Sequence, residues 1–432
     1  MACFALPPSG NSVPASFLLE AGDDDFPSAF SAHSGYPADR ILLTASGAGA
    51  LFIALRGLAA LNPGRTRVVL PAWCCPSVPQ TVIQAGLEPV LIDLDPSTLG
   101  YDPAALHEAR DPGLLAVLLV HFFGMHQPMP AGDWEGVSFL RDCAQDFDHR
   151  QDPDDGSPCF YSFGRGKALN SGHGGALCLP TQGPLLDACR EALEQLRVSR
   201  ERTLPKALAI NLLSQPRFFW ALSRLPFLRI GATVWNAPLT FEGIAPGFHP
   251  MGSACLEAYL QRRDFYRKLT GRYRALLQGC DGDWIFSPGA GKAHDPAGPM
   301  GPAGTPHSGL PTRFPVMVRD GALREDLFRG VNARFGGVTR MYPKILTEIS
   351  GAPSGLGAGR DFPGARRIAD GILTLPMTAE LMGRDEGFVQ CLVGILEKHG
   401  ALRKRPEPDP ASAMDWPPTR DFRRRPSLFP TS

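Results

Sequence analysis

Cys159-Phe160-Tyr161-Ser162-Phe163-Gly164-Arg165-Gly166-Lys167, continued by Ala168-Leu169-Asn170-Ser171-Gly172-His173-Gly174-Gly175, passes from an apolar run into a glycine-rich loop that carries one lysine. The apolar half reads as a buried strand, and a second apolar run, Ala176 to Leu179, resumes directly after the glycine pair. A lysine held at a strand end among small residues is desolvated. That disfavours the ammonium form and leaves the neutral amine that imine chemistry needs. Taken alone, a lysine in such a loop is most often a solvated surface residue, so the choice rests on its neighbours in the chain.

Upstream, short apolar runs alternate with helical patterns. Ile41 to Thr44 reads as a strand leading into Ala45-Ser46-Gly47-Ala48-Gly49-Ala50, after which Leu51, Leu55 and Leu58 mark the buried face of a helix. Ser46 suits an N-cap, and the small residues would admit an anion to the positive end of that helix. Further strands are expected over Arg67 to Leu70, Pro89 to Leu94, Leu114 to Val120 and Val137 to Leu140, with helices over Val78 to Ala85 and Pro103 to Ala109. The alternation predicts an α/β protein whose large domain is a mostly parallel sheet sandwiched by helices. In such a sheet the polar residues at the strand carboxyl ends line the ligand crevice, which nominates Trp73, Asp95, His121, Asp142, Gln145 and Lys167.

Asp142 follows a buried strand, where an unpaired carboxylate is costly. It either caps the next helix or pairs with Arg141, or it is placed to face a protonated ring nitrogen. The last is the usual protein partner of pyridoxal phosphate, whose other anchor is a lysine imine. His121 reads as a packing histidine rather than a catalytic base.

Residues 1–36 read as an N-terminal arm with a short helix over Pro27 to His33, and residues 37–250 as the large domain. A long helix over Met251 to Leu277 bridges to a smaller C-terminal α/β domain ending near residue 400, in which Arg340-Met341-Tyr342-Pro343 is placed to face the crevice. Residues 401–432, rich in Pro and Arg, read as a disordered tail. Leu204 to Trp235 is apolar and aromatic, a pattern that fits subunit packing or core better than a membrane-surface hairpin. The balance of 43 basic and 43 acidic side chains gives no footprint for nucleic acid. The longest uncharged apolar run, Leu114 to Met125, is too short to span a bilayer. No secretory pattern opens the chain, and the ten cysteines show no zinc spacing, so no metal site is expected and the thiols read as those of a reduced, cytoplasmic protein.

Six segments in order resemble the DegT/StrS family of pyridoxal-phosphate-dependent sugar aminotransferases. Ser46-Gly47-Ala48-Gly49-Ala50-Leu51 is similar to the family's S-G-T-A-A-L phosphate turn, Val69 to Cys75 to its V-P-A-F-T-F segment, and Pro89 to Asp95 to P-V-F-V-D-I-D. His121-Phe122-Phe123-Gly124 resembles H-L-Y-G, Asp142-Cys143-Ala144-Gln145 resembles D-A-A-Q, and Ser162-Phe163 through Lys167 resembles F-S-F-x-x-x-K. The resemblance implies the fold of the aspartate aminotransferase-like (type I) enzymes and the cofactor pyridoxal 5'-phosphate. Lys167 would form the internal aldimine, Asp142 would pair with the pyridine nitrogen, Gln145 would lie near the ring hydroxyl, and Ser162 with the Gly47 and Ala48 amides would hold the phosphate. It further implies a homodimer that moves an amino group by ping-pong chemistry from an amino acid, glutamate by expectation, to a keto group of a nucleotide-linked sugar. Cys75 stands where the family stacks an aromatic ring on the cofactor; either Cys75 packs there or Trp73 supplies the ring. No Asn stands near Gly247-Phe248-His249-Pro250, where the family has one. These departures motivate a second reading, a non-catalytic regulatory or scaffold member of the same fold, beside imine chemistry on a non-sugar carbonyl.

Overall fold

Seven strands form one sheet: β1 (Ile41–Thr44), β2 (Arg67–Pro71), β3 (Glu88–Ile92), β4 (Leu114–Val120), β5 (Ser138–Asp142), β6 (Cys159–Ser162) and β7 (Gly175–Cys178). Their order is β1-β7-β6-β5-β4-β2-β3, with β7 alone antiparallel to its neighbours. The computed structural model describes residues 5–7, 12–14, 25–148, 156–200, 203–223, 233–235, 238–288 and 309–403. The tail from residue 404, most of the stretch between Pro288 and Pro311, and parts of the arm and of the 204–235 segment lie outside the described residues.

The sheet is covered on both faces, and for that reason its strands read as continuous apolar runs rather than as alternations. All seven residues of β4 are buried. Leu118 and Val120 pack with α2 (Gly47–Leu61), α3 (Ser77–Gln84) and α5 (Pro184–Glu194), whereas Val117 and Leu119 pack with Leu106 of α4 (Pro103–Glu108). On the face of β1, β7 and β6, Phe26 and Phe30 of α1 (Phe26–Ser34) meet Phe163 and Phe248, the latter on α8 (Phe248–Gln278). Helices α6 (Thr203–Ser214) and α7 (Pro216–Ser223) fill part of the apolar segment and leave Leu208, Leu212 and Phe218 exposed. No helix among the described residues is long and apolar enough to cross a membrane.

A second, antiparallel sheet has the order β10-β9-β8, from β8 (Ile285–Phe286), β9 (Arg313–Val318) and β10 (Ile372–Pro376). Helices α9 (Gly321–Arg334) and α11 (Asp385–Lys398) pack with it, and α10 (Pro363–Gly371) leads into β10. The 31-residue α8 carries rings to both sheets: Tyr259 lies 5.0 Å from Phe147, and Tyr273 lies 5.2 Å from Phe314. Two connections bring the second sheet onto the carboxyl ends of the first. The Asp93 carboxylate accepts the Gly364 and Ala365 N–H groups (2.8 and 2.7 Å), which caps α10 across 271 residues of sequence. The lead-in to β9 crosses the strand ends, with Gly309 N–H donating to Gly124 O (2.8 Å) and Pro311 bridging Asp146.

Candidate active site

The loop after β6 is fixed in shape before any ligand is considered. Lys167 N–H closes a turn on Gly164 O (3.2 Å), and Gly166 adopts φ +79°, a left-handed conformation that favours glycine. Buried Ser171 donates from its hydroxyl toward Phe163 O and His173 O (3.0 and 2.6 Å), pinning the far side of the loop. The Lys167 side chain is half-buried beside Pro311 and Thr312, and desolvation lowers its pKa from the ordinary lysine value. The charge of Arg313 adds to that lowering, while Cys75 and Asp142 oppose it.

Asp142 is the last residue of β5, paired in register with Val120 on one side and Phe160 on the other, so the strand runs two residues farther than expected. Its carboxylate is buried and accepts the Ala144 N–H (3.0 Å). Burial raises its pKa; the Ala144 hydrogen bond and the charges of Lys167 and His121 act against that rise. Among the described residues no helix directly follows β5 for it to cap, and Arg141 donates to the His126 ring (2.9 Å). His121 is fully buried, with Nδ1 2.9 Å from an Asp146 carboxylate oxygen, which agrees with a satisfied packing histidine on that side; its Nε2 has no hydrogen-bond partner among the described residues. His121, His126 and Asp146 bring potential ligand atoms within 4.8 Å of one another. Arg141 donates to a ring nitrogen of His126 (2.9 Å), the lone pair that a metal would need.

The first turn of α2 lies against Ser162 and the glycine pair. Ser46 caps the helix by accepting Gly49 N–H (3.1 Å) and forms a bridge to Gly174. A Cβ on Gly47 would lie 2.7 Å from Ser162 Cβ, and one on Gly175 would lie 2.5 Å from the Ser46 carbonyl. Small residues are therefore required for the helix start to approach β6 and β7. The result is a positive helix end beside a hydroxyl, suited to a phosphate group.

The remaining sequence candidates separate. Trp73 is turned into the core, fully buried, with its indole N–H donating to Tyr342 O (2.8 Å) and its ring 5.1 Å from Phe122. Trp73, one of the two alternatives for the ring-stacking position, is thus packed in the core between Phe122 and Tyr342. Cys75 is the residue at the site: it is half-buried, 3.0 Å from Ser77 Oγ, and within the electrostatic reach of Lys167. Gln145 is buried and its Oε1 accepts the Phe123 N–H (3.3 Å). Asp95 is exposed and accepts Ser97 N–H (2.8 Å) in a turn, so it leaves the candidate set. His249 lies on α8, 3.8 Å from Asp25 at the end of the arm. The Tyr342 ring lies 5.4 Å from that of Trp73, and burial raises its hydroxyl's pKa, with Cys75, Cys74 and Asp142 adding to the rise and Arg313 opposing it. Arg313, at the start of β9, was not foreseen; it donates to Thr339 Oγ1 (3.2 Å), which in turn meets Thr374 Oγ1 (2.7 Å).

A lysine amine, a buried carboxylate and an anion-binding helix end thus meet at the carboxyl ends of β5, β6 and the α2 entry. Residues 18–203 match the model of the DegT/DnrJ/EryC1/StrS aminotransferase family. Among curated members of related sequence, L-glutamine:2-deoxy-scyllo-inosose aminotransferase from Streptoalloteichus tenebrarius is 30% identical over 166 residues, 37% of this chain and 38% of that protein. The chain thus spans less than half the length of this relative. Of the solved structures, AtS13 from Actinomadura melliaura superposes with a TM-score of 0.65 at 19% identity, covering 91% of this chain and 100% of that one. A second, ntda from Bacillus subtilis with bound cofactor PMP, has a TM-score of 0.60 at 19% identity and covers 90% and 79%. The fold is therefore that of the type I pyridoxal-phosphate aminotransferases, as the sequence motifs implied.

Proposed function

We propose that this chain is a pyridoxal-phosphate-dependent aminotransferase acting on a keto sugar or related cyclic polyol, with Lys167 as the covalent anchor. The observation that carries the reading is the convergence of Lys167, Asp142 and the α2 N-terminus with Ser162 on one end of the sheet. The PMP-bound relative of the same fold supports the cofactor assignment. When bound, the cofactor supplies an electron sink for the bond broken at the donor's Cα.

The chain's own residues divide the work. Lys167 Nζ, held toward the neutral form by burial, attaches the group and then moves a proton at the donor's Cα. Asp142 holds a proton on the ring nitrogen; a cation there would lower its pKa and offset the cost of its burial. Ser162 and the amides of Gly47 and Ala48 receive the phosphate, Gln145 lies toward the ring hydroxyl, and Cys75 packs where a ring would otherwise stack. In this reading residues 37–250 hold the cofactor, 251–400 supply the bridging helix and the small domain, and two chains assemble as a cytoplasmic homodimer. The nucleotide-linked acceptor and glutamate as donor follow from the motif resemblance. The named relative pairs L-glutamine with 2-deoxy-scyllo-inosose, so glutamine is tested alongside glutamate.

The test is a half-reaction. Protein loaded with pyridoxal phosphate is mixed with L-glutamate or L-glutamine, and the 2-oxo acid is quantified. About one equivalent per site from either donor is the expected result, as ping-pong chemistry requires. No 2-oxo acid from either, with cofactor demonstrably bound, would overturn the transaminase reading.

A further inference from the structure

On the outer side of β4, α4 and the loop 125–134 enclose a cavity of about 640 Å³, within the range of small-molecule sites. It lies beyond the site described above, separated from it by Tyr101 and His126. Tyr101, whose hydroxyl donates to Leu118 O, feels the charges of Cys74 and Asp142. The His126 ring lies 4.7 Å from that of His121, the residue whose N–H donates to Asp142 O (3.1 Å).

The lining is mostly apolar, with three basic side chains (His107, Arg110 and His126) and no carboxylate among the described residues. Two acidic groups flanking the lining in sequence are engaged in local turns: Asp102 caps α4 through the Ala105 N–H (2.8 Å), and Asp133 accepts the Glu135 N–H (3.1 Å). Arg110 is preset. Its guanidinium carbon sits 4.1 Å over the Trp134 ring, and one amino group donates to Ala131 O (3.2 Å). Gly132, beside the same guanidinium, adopts φ +104°, a backbone conformation that favours glycine. A guanidinium held over an aromatic wall, beside two histidines, suits a phosphate ester whose organic part is flat or apolar.

We propose that this cavity binds the phosphate-bearing, non-reacting part of the acceptor, with Arg110 as its principal anion contact. The assignment of the occupant to the acceptor rests on the aminotransferase reading; the presence of a phospho-anion site does not. Two sources share this chemistry, a nucleoside diphosphate and a sugar phosphate, and the experiment separates them.

Uridine diphosphate and glucose 6-phosphate are each titrated into the full chain by calorimetry, using wild type, Arg110→Gln and His107→Glu. The second substitution is at an exposed position of α4 and keeps the test independent of any folding defect in the first. The expected result is saturable binding of one of the two probes, weakened at least about tenfold by both substitutions, with the cofactor absorbance of both variants unchanged. Binding of uridine diphosphate assigns a nucleotide handle, and binding of glucose 6-phosphate a phosphorylated sugar. If neither probe binds wild type, or if both variants bind as wild type does, the proposal is overturned. Should wild type bind a probe in an Arg110-dependent way yet hold no pyridoxal phosphate, the cavity assignment stands and the catalytic reading falls.

Discussion

Replacing Gly175 by alanine puts the contact between β7 and α2 to a quantitative test. The added Cβ would lie 2.5 Å from both the carbonyl carbon and oxygen of Ser46 and 2.6 Å from Gly47 N, where ordinary contacts begin near 3.4 Å. All three neighbours are backbone, so no rotamer change can relieve the clash, and the start of α2 must withdraw from the sheet by close to an ångström. Overpacking of this kind costs about 1–3 kcal/mol. The same withdrawal moves the helix end from Ser162, and a misplacement of about 1 Å in a binding site can cost on the order of 100-fold. Gly164→Ala is the internal control, because its nearest neighbour, Ser162 Oγ, lies 3.7 Å away. Urea unfolding of the apoprotein and absorbance titration with pyridoxal phosphate measure the two effects. Gly175→Ala is expected to lose about 1–3 kcal/mol and about 10- to 100-fold in cofactor affinity, whereas Gly164→Ala changes either by little. Wild-type affinity and stability in Gly175→Ala would refute the packing that places the helix end at the site.

Three further outcomes follow from individual side chains. Lys167 has a folded pKa below 10.5, so the unfolded chain binds more protons as pH passes through that interval; stability of apo wild type relative to Lys167→Met should therefore rise with pH as it climbs from the folded pKa toward 10.5, read by urea unfolding at several pH values. A flat or falling difference contradicts the desolvated lysine. Asp142→Asn removes the carboxylate that would hold the ring proton, and kcat should fall about 100-fold or more while the protein still binds cofactor; steady-state rates and absorbance decide it. Trp73→Phe loses the hydrogen bond to Tyr342 O and should cost about 1–2 kcal/mol in urea unfolding with an unchanged cofactor spectrum, whereas a changed spectrum would return Trp73 to the cofactor's face.

The elements were most legible where burial is two-sided and long. β4 falls where the apolar run places it, because no competing local signal interrupts the run. Strand ends were less so: Asp142 reads as a loop residue by its charge, yet it is held in register by strands on both sides, and only the site explains a carboxylate there. Side-chain direction past a strand end was not legible. β2 stops at Pro71, before Trp73 and Cys75, and a period of 2 would in any case put both residues on one face, so the pattern does not tell them apart. Asp95 illustrates the opposite error, since an Asp-Pro-Ser-Thr stretch is a turn signal in its own right and the turn took the carboxylate. Contacts made by the second sheet carry no local pattern. Arg313 stands 146 positions after Lys167, and the pairing of His121 with Asp146 depends on adjacent strands rather than on spacing.

The covalent claim is tested most directly by reducing the protein with borohydride in the presence of pyridoxal phosphate and mapping the modified peptide by mass spectrometry. The account requires the pyridoxyl mass on Lys167, near one per chain, and its absence from Lys167→Ala. Modification of another lysine at equal yield, or no stable modification of wild type, would contradict it.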